Sequence, residues 1–283
     1  MKHVWMFAFI GFIAIVFTYF FISSRDMAVI KYFPIDDSHY FTEASTTLTT
    51  SDDEDNDEIK WDVASSSNDS MYLRQDVSLL YVNGRLKGVV NKWKENAQHI
   101  EKQTVLQGED SKKYEAISFH HGEIHGEKDE IKSIQATSND TLYIIDSPHS
   151  KKTAFHKAQS TEEKEWTGKL DHAIDQQLEA QWDELIHHYQ IPREKYIHIP
   201  LTELTAFSKE NPFPGTTGAE FDRILGQLWE GLYKNYVLGI EDSQSKHPIQ
   251  SYIPLILLDK NGKHLIVLYE DDAGEKHQLI QYY

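Results

Sequence analysis

The chain has 283 residues, with 45 Asp and Glu against 28 Lys and Arg, for a formal net charge of −17. A surface this acidic repels phosphate backbones and anionic headgroups, which excludes nucleic-acid binding as a reading. The absence of cysteine excludes a disulfide framework, lipid attachment at a cysteine and a thiol nucleophile.

The apolar stretch Val4 to Ile22 comes first, interrupted only by Gly11 and Thr18. As a helix it spans roughly 28 Å, about the thickness of a bilayer's hydrocarbon core. Its length, and the lack of a small-x-small site at Ser23-Ser24-Arg25-Asp26, favour a retained signal-anchor over a cleaved signal peptide. The flanking charges nearly balance, with Lys2 on one side and Arg25, Lys31, Asp26, Asp36 and Asp37 on the other. The short N-terminal tail tips the expectation towards a soluble part outside the cytoplasm. Residues 1–25 are therefore read as a single-pass transmembrane anchor, with the membrane as one partner.

Residues 26–70 read as a membrane-proximal arm followed by a linker. Pro34 argues against a helix through the arm. Thr42 to Ser70 is mostly Ser, Thr, Asp and Glu, with acids at six of the seven positions from Asp52 to Glu58. So polar and self-repelling a segment is expected to be a flexible acidic stalk.

A folded domain is expected over 71–283. Val77 to Val82 suits a strand, and Asn83-Gly84 is a strong hairpin signal, because both residues tolerate positive φ. Arg85 to Val90 returns. Val90, Trp93, Ala97 and Ile100 then recur at spacings of three and four, which predicts a helix over about Asn91 to Lys102. Tyr114 to His125, Ile131 to Ala136 and Thr141 to Ile145 read as three strands, with Ser138-Asn139-Asp140 as the turn between the last two.

Beyond Pro148 the pattern turns helical. Ser160 and Glu163 have capping-box spacing, and Trp166, Leu170, Ile174, Leu178, Trp182, Leu185 and Tyr189 follow at intervals of three and four. Lys195 to Ile199 is a short strand. Thr217 and Glu220 form a second capping box ahead of Phe221, Ile224, Leu225, Leu228, Leu232 and Tyr236. Tyr252 to Leu258, His264 to Tyr269 and Lys276 to Tyr282 make a C-terminal β-meander with turns at Asp259 to Lys263 and Asp271 to Gly274. Strands, then two long amphipathic helices, then strands indicate an α+β class built on antiparallel sheet. Two lobes over the same span are the alternative.

Catalytic signatures are sparse. There is no phosphate loop, G-x-S-x-G elbow or H-E-x-x-H, and no organic cofactor is implied. Asp175, Glu179 and Asp183 lie along one line of the first long helix and read as a solvated face. The constellation above background is His120-His121-Gly122-Glu123-Ile124-His125. Strand alternation puts His121, Glu123 and His125 on one face, a competent set for zinc or a similar divalent ion. Residues two apart on a strand are roughly 6.5–7 Å apart, so the three must converge and find a further ligand. The plainer alternative is a polar strand face with one buried, hydrogen-bonded histidine. Two functions follow as expectations. One is a non-enzymatic extracytoplasmic binding or regulatory module with a protein partner at the membrane surface. The other is a membrane-tethered metal-dependent hydrolase using the histidine cluster.

Overall fold

In the computed structural model the described residues are 33–50, 58–109, 111–126, 130–147, 150–238, 251–271 and 273–283. The predicted anchor, Val4 to Ile22, and the acidic run 52–57 lie outside them. Among the described residues no helix is long and apolar enough to cross a membrane.

Strand accounts for 53% of the described residues and helix for 26%. The expected α+β class is thereby corrected to a mostly β fold. Six strands form the first sheet: β1 (Phe41–Thr50), β2 (Glu58–Val82), β3 (Arg85–Gln107), β4 (Lys112–His125), β5 (Ile131–Ser147) and β6 (Ser150–Phe155). The segment read as a flexible stalk supplies β1 and the first half of β2. Its mean polarity hides a period of two: Ile59, Trp61, Val63, Ser65 and Ser67 are all buried and alternate with half-buried neighbours. Thr-rich sequence with every second residue turned inward suits a strand, whatever its average composition.

The helix expected over Asn91 to Lys102 is the second half of β3. Its three-and-four spacing comes from irregular pairing with β2 around Met71 to Leu73 and from Asn96, which sits at φ 46°. Extra residues at such bulges shift the inward parity, so Ala97 and Ile100 both point inward although three apart. The expected turn at Ser138-Asn139-Asp140 lies within the single long strand β5. Its polar side chains serve as bridges: Asp140 accepts from Leu48 N at 2.7 Å, and Asn139 Nδ2 donates to Thr202 O at 3.3 Å.

β3 pairs with β2 along nearly its whole length. On its other edge β2 pairs with β1 over residues 59–67 and then with β4 over residues 72–82. The sheet folds back at this change of neighbour. Leu48, Trp61 and Val63 from one half then pack on Leu80, Tyr114 and Leu142 from the other. The opposite face of β2 and β4, with Leu79, Tyr81, Ile117 and Phe119, belongs to the main core under the helices. Val77 to Val82 is a continuous buried run because both of its faces are covered. Asn83 and Gly84, at φ 48° and 77°, make the hairpin turn between β2 and β3.

The second sheet has the order β10-β9-β8-β7, from β7 (Tyr196–Pro200), β8 (Leu255–Asp259), β9 (His264–Glu270) and β10 (Lys276–Tyr282). Helix α1 (Thr161–His188) and helix α2 (Gly218–Leu232) each start at a complete capping box, on Ser160 and Thr217. The helices take opposite faces of this sheet. Gln181 of α1 bonds Glu270, on the face of Ile266 and Leu268. Gln281, paired with Leu265 on the other face, bonds Ile224 O of α2. Trp182 Nε1 donates to Ile253 O at 2.9 Å, tying α1 to the chain entering β8. Stacking of Phe119 on Trp229, at 5.4 Å between ring centroids, ties α2 to the first sheet.

The arm ahead of β1 docks on β5. Ser133 N donates to Pro34 O at 2.8 Å, and Asp36 N donates to Ser133 O at 2.9 Å. Asp36 then accepts from Ser38 and His39, and the Ser38 bonds hold its carboxyl far below the usual carboxylate range.

Candidate functional site

Alternation along β4 sends its side chains to two environments. His121, Glu123 and His125 share the face turned towards α2, while His120 points between the folded halves of the first sheet.

On the outward face the three predicted residues converge on Glu123. His125 Nε2 lies 3.2 Å from Oε2, and His121 Nδ1 lies 3.8 Å from Oε1. A residue missed in the sequence decides the character of the group. Arg74, paired with His121 across β2 and β4, donates from Nη1 to Glu123 Oε1 at 2.6 Å and reaches Glu230 of α2 at 4.0 Å. The carboxylate is buried, and its nearest partner is a guanidinium. His121 stacks on Phe119 at 5.9 Å, and burial, aided by the Arg74 charge, lowers its pKa to about 4. The set is thus a neutral imidazole, an ion pair and an exposed imidazole. A divalent ion here would face Arg74 and would have to share its anionic ligand.

Glu123 and His125 line an open cleft of about 480 Å³ at the bend of the β2–β3 ribbon, floored by Met71 and Ile124 and flanked by Tyr72 and Glu95. Gly122 makes that floor possible. A Cβ there would meet Met71 Sδ at 2.5 Å and Ile134 Cγ1 at 2.9 Å.

A second cleft, of about 540 Å³, opens between the arm, β5 and α2. Ile35, Tyr40, Phe41, Phe207, Phe221 and Leu225 give it apolar walls. Asp37, Lys209 and Asp222 stand on its rim, with Lys209 Nζ 3.6 Å from Asp222. Burial raises the Asp222 pKa above the ordinary value against the pull of Lys209.

Among the described residues, one group of three metal-capable side chains brings its ligand atoms within 4.8 Å of one another: Asp271, Glu275 and His277, at the β9–β10 turn. Asp271 is already committed there. It accepts from Ala273 N and Glu275 N and lies 2.8 Å from His277 Nε2.

His120 forms a different kind of site. Nδ1 lies 2.7 Å from Ser65 Oγ, and Nε2 lies 2.7 Å from Ser138 Oγ. The donors can be ordered. Thr46 gives its proton to Ser118, so Ser138 must donate to Thr46, and Nε2–H of His120 must donate to Ser138. Nδ1 then accepts from Ser65, which accepts from Gln75 Nε2 at 3.0 Å. With the buried ring neutral, the result is a one-way chain, Gln75 to Ser65 to His120 to Ser138 to Thr46 to Ser118, with the histidine in its Nε2–H form. Burial lowers the His120 pKa to about 4. This is the buried, hydrogen-bonded histidine of the plainer reading.

No protein-family model, curated protein or solved structure matches this chain. The functional reading rests on geometry.

Proposed function

We propose that this protein is a non-enzymatic binding module, tethered to a membrane by Val4 to Ile22 and acting outside the cytoplasm on a protein partner at the membrane surface. The observation that carries the reading is the 540 Å³ cleft, lined by both apolar and polar side chains, with one wall formed by the arm that follows the apolar stretch. Such clefts suit recognition of a peptide or ligand. The histidine cluster supports the same reading, because Arg74 neutralises its carboxylate and joins it to α2.

The test is photocrosslinking in cells from a photoreactive phenylalanine analogue at Tyr40 or Phe207. A discrete protein adduct from both positions, with none from Thr49 on the exposed side of β1, is expected. Turnover of a hydrolase substrate by the metal-loaded protein would overturn the reading.

A second reading, a metal-dependent hydrolase, draws on the convergence of His121 and His125 on Glu123 beside the 480 Å³ cleft. Arg74 weighs against it.

A further inference from the structure

Strand β10 ends the second sheet, and its outer edge is unlike those of β3 and β7. Tyr283 N donates inward to Lys263 O, so Tyr282 and His264 form a non-hydrogen-bonded pair. The backbone groups of Tyr282, Ile280 and Gln278 therefore point away from β9, towards a side where the sheet has no further strand among the described residues. From Gln278 to Tyr283 the edge has no charged side chain and no proline. Ile280 is 44% exposed and Tyr282 is 73% exposed.

Proteins guard sheet edges with charge, proline, bulges or brevity. Edge strand β3 is guarded by Lys92, Lys94 and Lys102 and by its bulges. Strand β7 is five residues long and ends in Pro200. The edge of β10 has none of these devices, and its two exposed large side chains add apolar surface to open backbone donors and acceptors.

We infer that β10 pairs antiparallel with β10 of a second copy of this chain, about a two-fold axis at Ile280, joining the two four-stranded sheets into one. The register follows from the sequence. Ile280 faces Ile280 of the second copy, and Gln278 faces Tyr282, so the centre is apolar and no like charges oppose each other. Lys276 falls beyond the paired segment. One pair of short strands buries less than the roughly 1,200 Å² of a free-standing stable interface, so the dimer is a weak, exchanging one.

The cysteine-free background makes the register testable by trapping. Ile280→Cys, Gln278→Cys and Tyr282→Cys are made singly in the full chain and oxidised in membranes. Across a hydrogen-bonded antiparallel pair the Cα atoms of residue 280 lie about 5.5 Å apart, inside the disulfide range. Two copies of residue 278 lie about 13 Å apart along the strands, outside that range. Ile280→Cys should therefore form a covalent dimer at least about tenfold faster than either Gln278→Cys or Tyr282→Cys alone. Gln278→Cys mixed with Tyr282→Cys should match the Ile280→Cys rate. Adding Ile280→Lys to both members of the mixed pair should remove that dimer while the melting temperature stays unchanged. Equal trapping at all three positions, or no dimer from Ile280→Cys, overturns the proposal.

Discussion

His120 Nε2 and Ser138 Oγ stand 2.7 Å apart, and this bond is the middle link of the hydroxyl chain inside the folded-back sheet. Through it β4 is joined to β5, and one hydroxyl further to Thr46 of β1. The chain lies between two apolar clusters, one around Trp61 and Leu80 and the other around Leu73 and Ile100. Polar links of fixed direction set a register that apolar packing alone leaves free to slip.

The chain predicts an acid-sensitive fold. Burial, not the hydrogen bonds, keeps His120 neutral and holds its pKa near 4, against about 6.5 in the unfolded chain. A depressed pKa gives stability that is present above about pH 6.5 and lost as pH falls towards 4. His120 alone should remove about 2–3 kcal/mol between pH 7 and pH 4. His121, held down in the same direction, adds to the loss. Urea melts at the two pH values measure it. In His120→Ala the slope should shrink, and stability at pH 7 should fall by about 2–4 kcal/mol, because Ser65 and Ser138 lose their partner.

Trp182 is buried and its indole N–H is bonded to Ile253 O, whereas Asp183, one residue on, is exposed beside Arg193. Trp182→Ala should cost about 3–5 kcal/mol. Asp183→Ala should cost less than about 1 kcal/mol, as for other surface ion pairs. Equal losses on denaturant titration would contradict the assigned face of α1.

Two glycines should respond in opposite directions. At Gly122 a methyl group has no room beside Met71 and Ile134, and Gly122→Ala should destabilise by about 1–3 kcal/mol. At Gly168, inside α1, nothing lies within 4 Å of an added Cβ. Gly168→Ala should stabilise by about 0.5–1 kcal/mol, the helix-propensity difference. Thermal melts of the two variants should shift in opposite directions.

What was legible in the sequence was local. Ser160-x-x-Glu163, Thr217-x-x-Glu220 and Asn83-Gly84 mark structure through chemistry confined to a few residues, and the structure starts helices and turns a hairpin there. The fold class was not legible, because it depends on long-range pairing. Thr42 to Ser70 reads as linker until β2 finds β1 and β3, and bulges give β3 a false helical period. The site was half legible. Alternation grouped His121, Glu123 and His125, but Arg74 enters from 49 residues away in sequence, and no local pattern announces it.

If the anchor is retained and the domain lies outside, protease added to intact cells should release a resistant core. That core should include Phe41–Thr50, because these residues are a strand of the first sheet and not a stalk. Mass spectrometry of the core's N-terminus reads the result. A core starting near Met71 would restore the stalk, and full protection before lysis would reverse the orientation.

The Arg74–Glu123 pair separates the two functional readings. If it is a structural tie, the purified chain should hold little divalent metal, and chelator should move its melting temperature by less than about 1 °C, since an ion bound only to the folded state adds RT ln(1 + [L]/Kd). Arg74→Ala should then destabilise by about 2–3 kcal/mol, reduced from the fully buried case by the partial exposure of Arg74, because Glu123 is left buried without its cation. His121→Ala with His125→Ala should have a smaller effect, because His125 is exposed and His121 sits at the longer distance from Glu123. If the trio is instead a metal centre, near-stoichiometric ion should accompany the wild-type protein, and the double histidine variant should lose both the ion and the chelator response. That outcome would replace the binding module with the hydrolase.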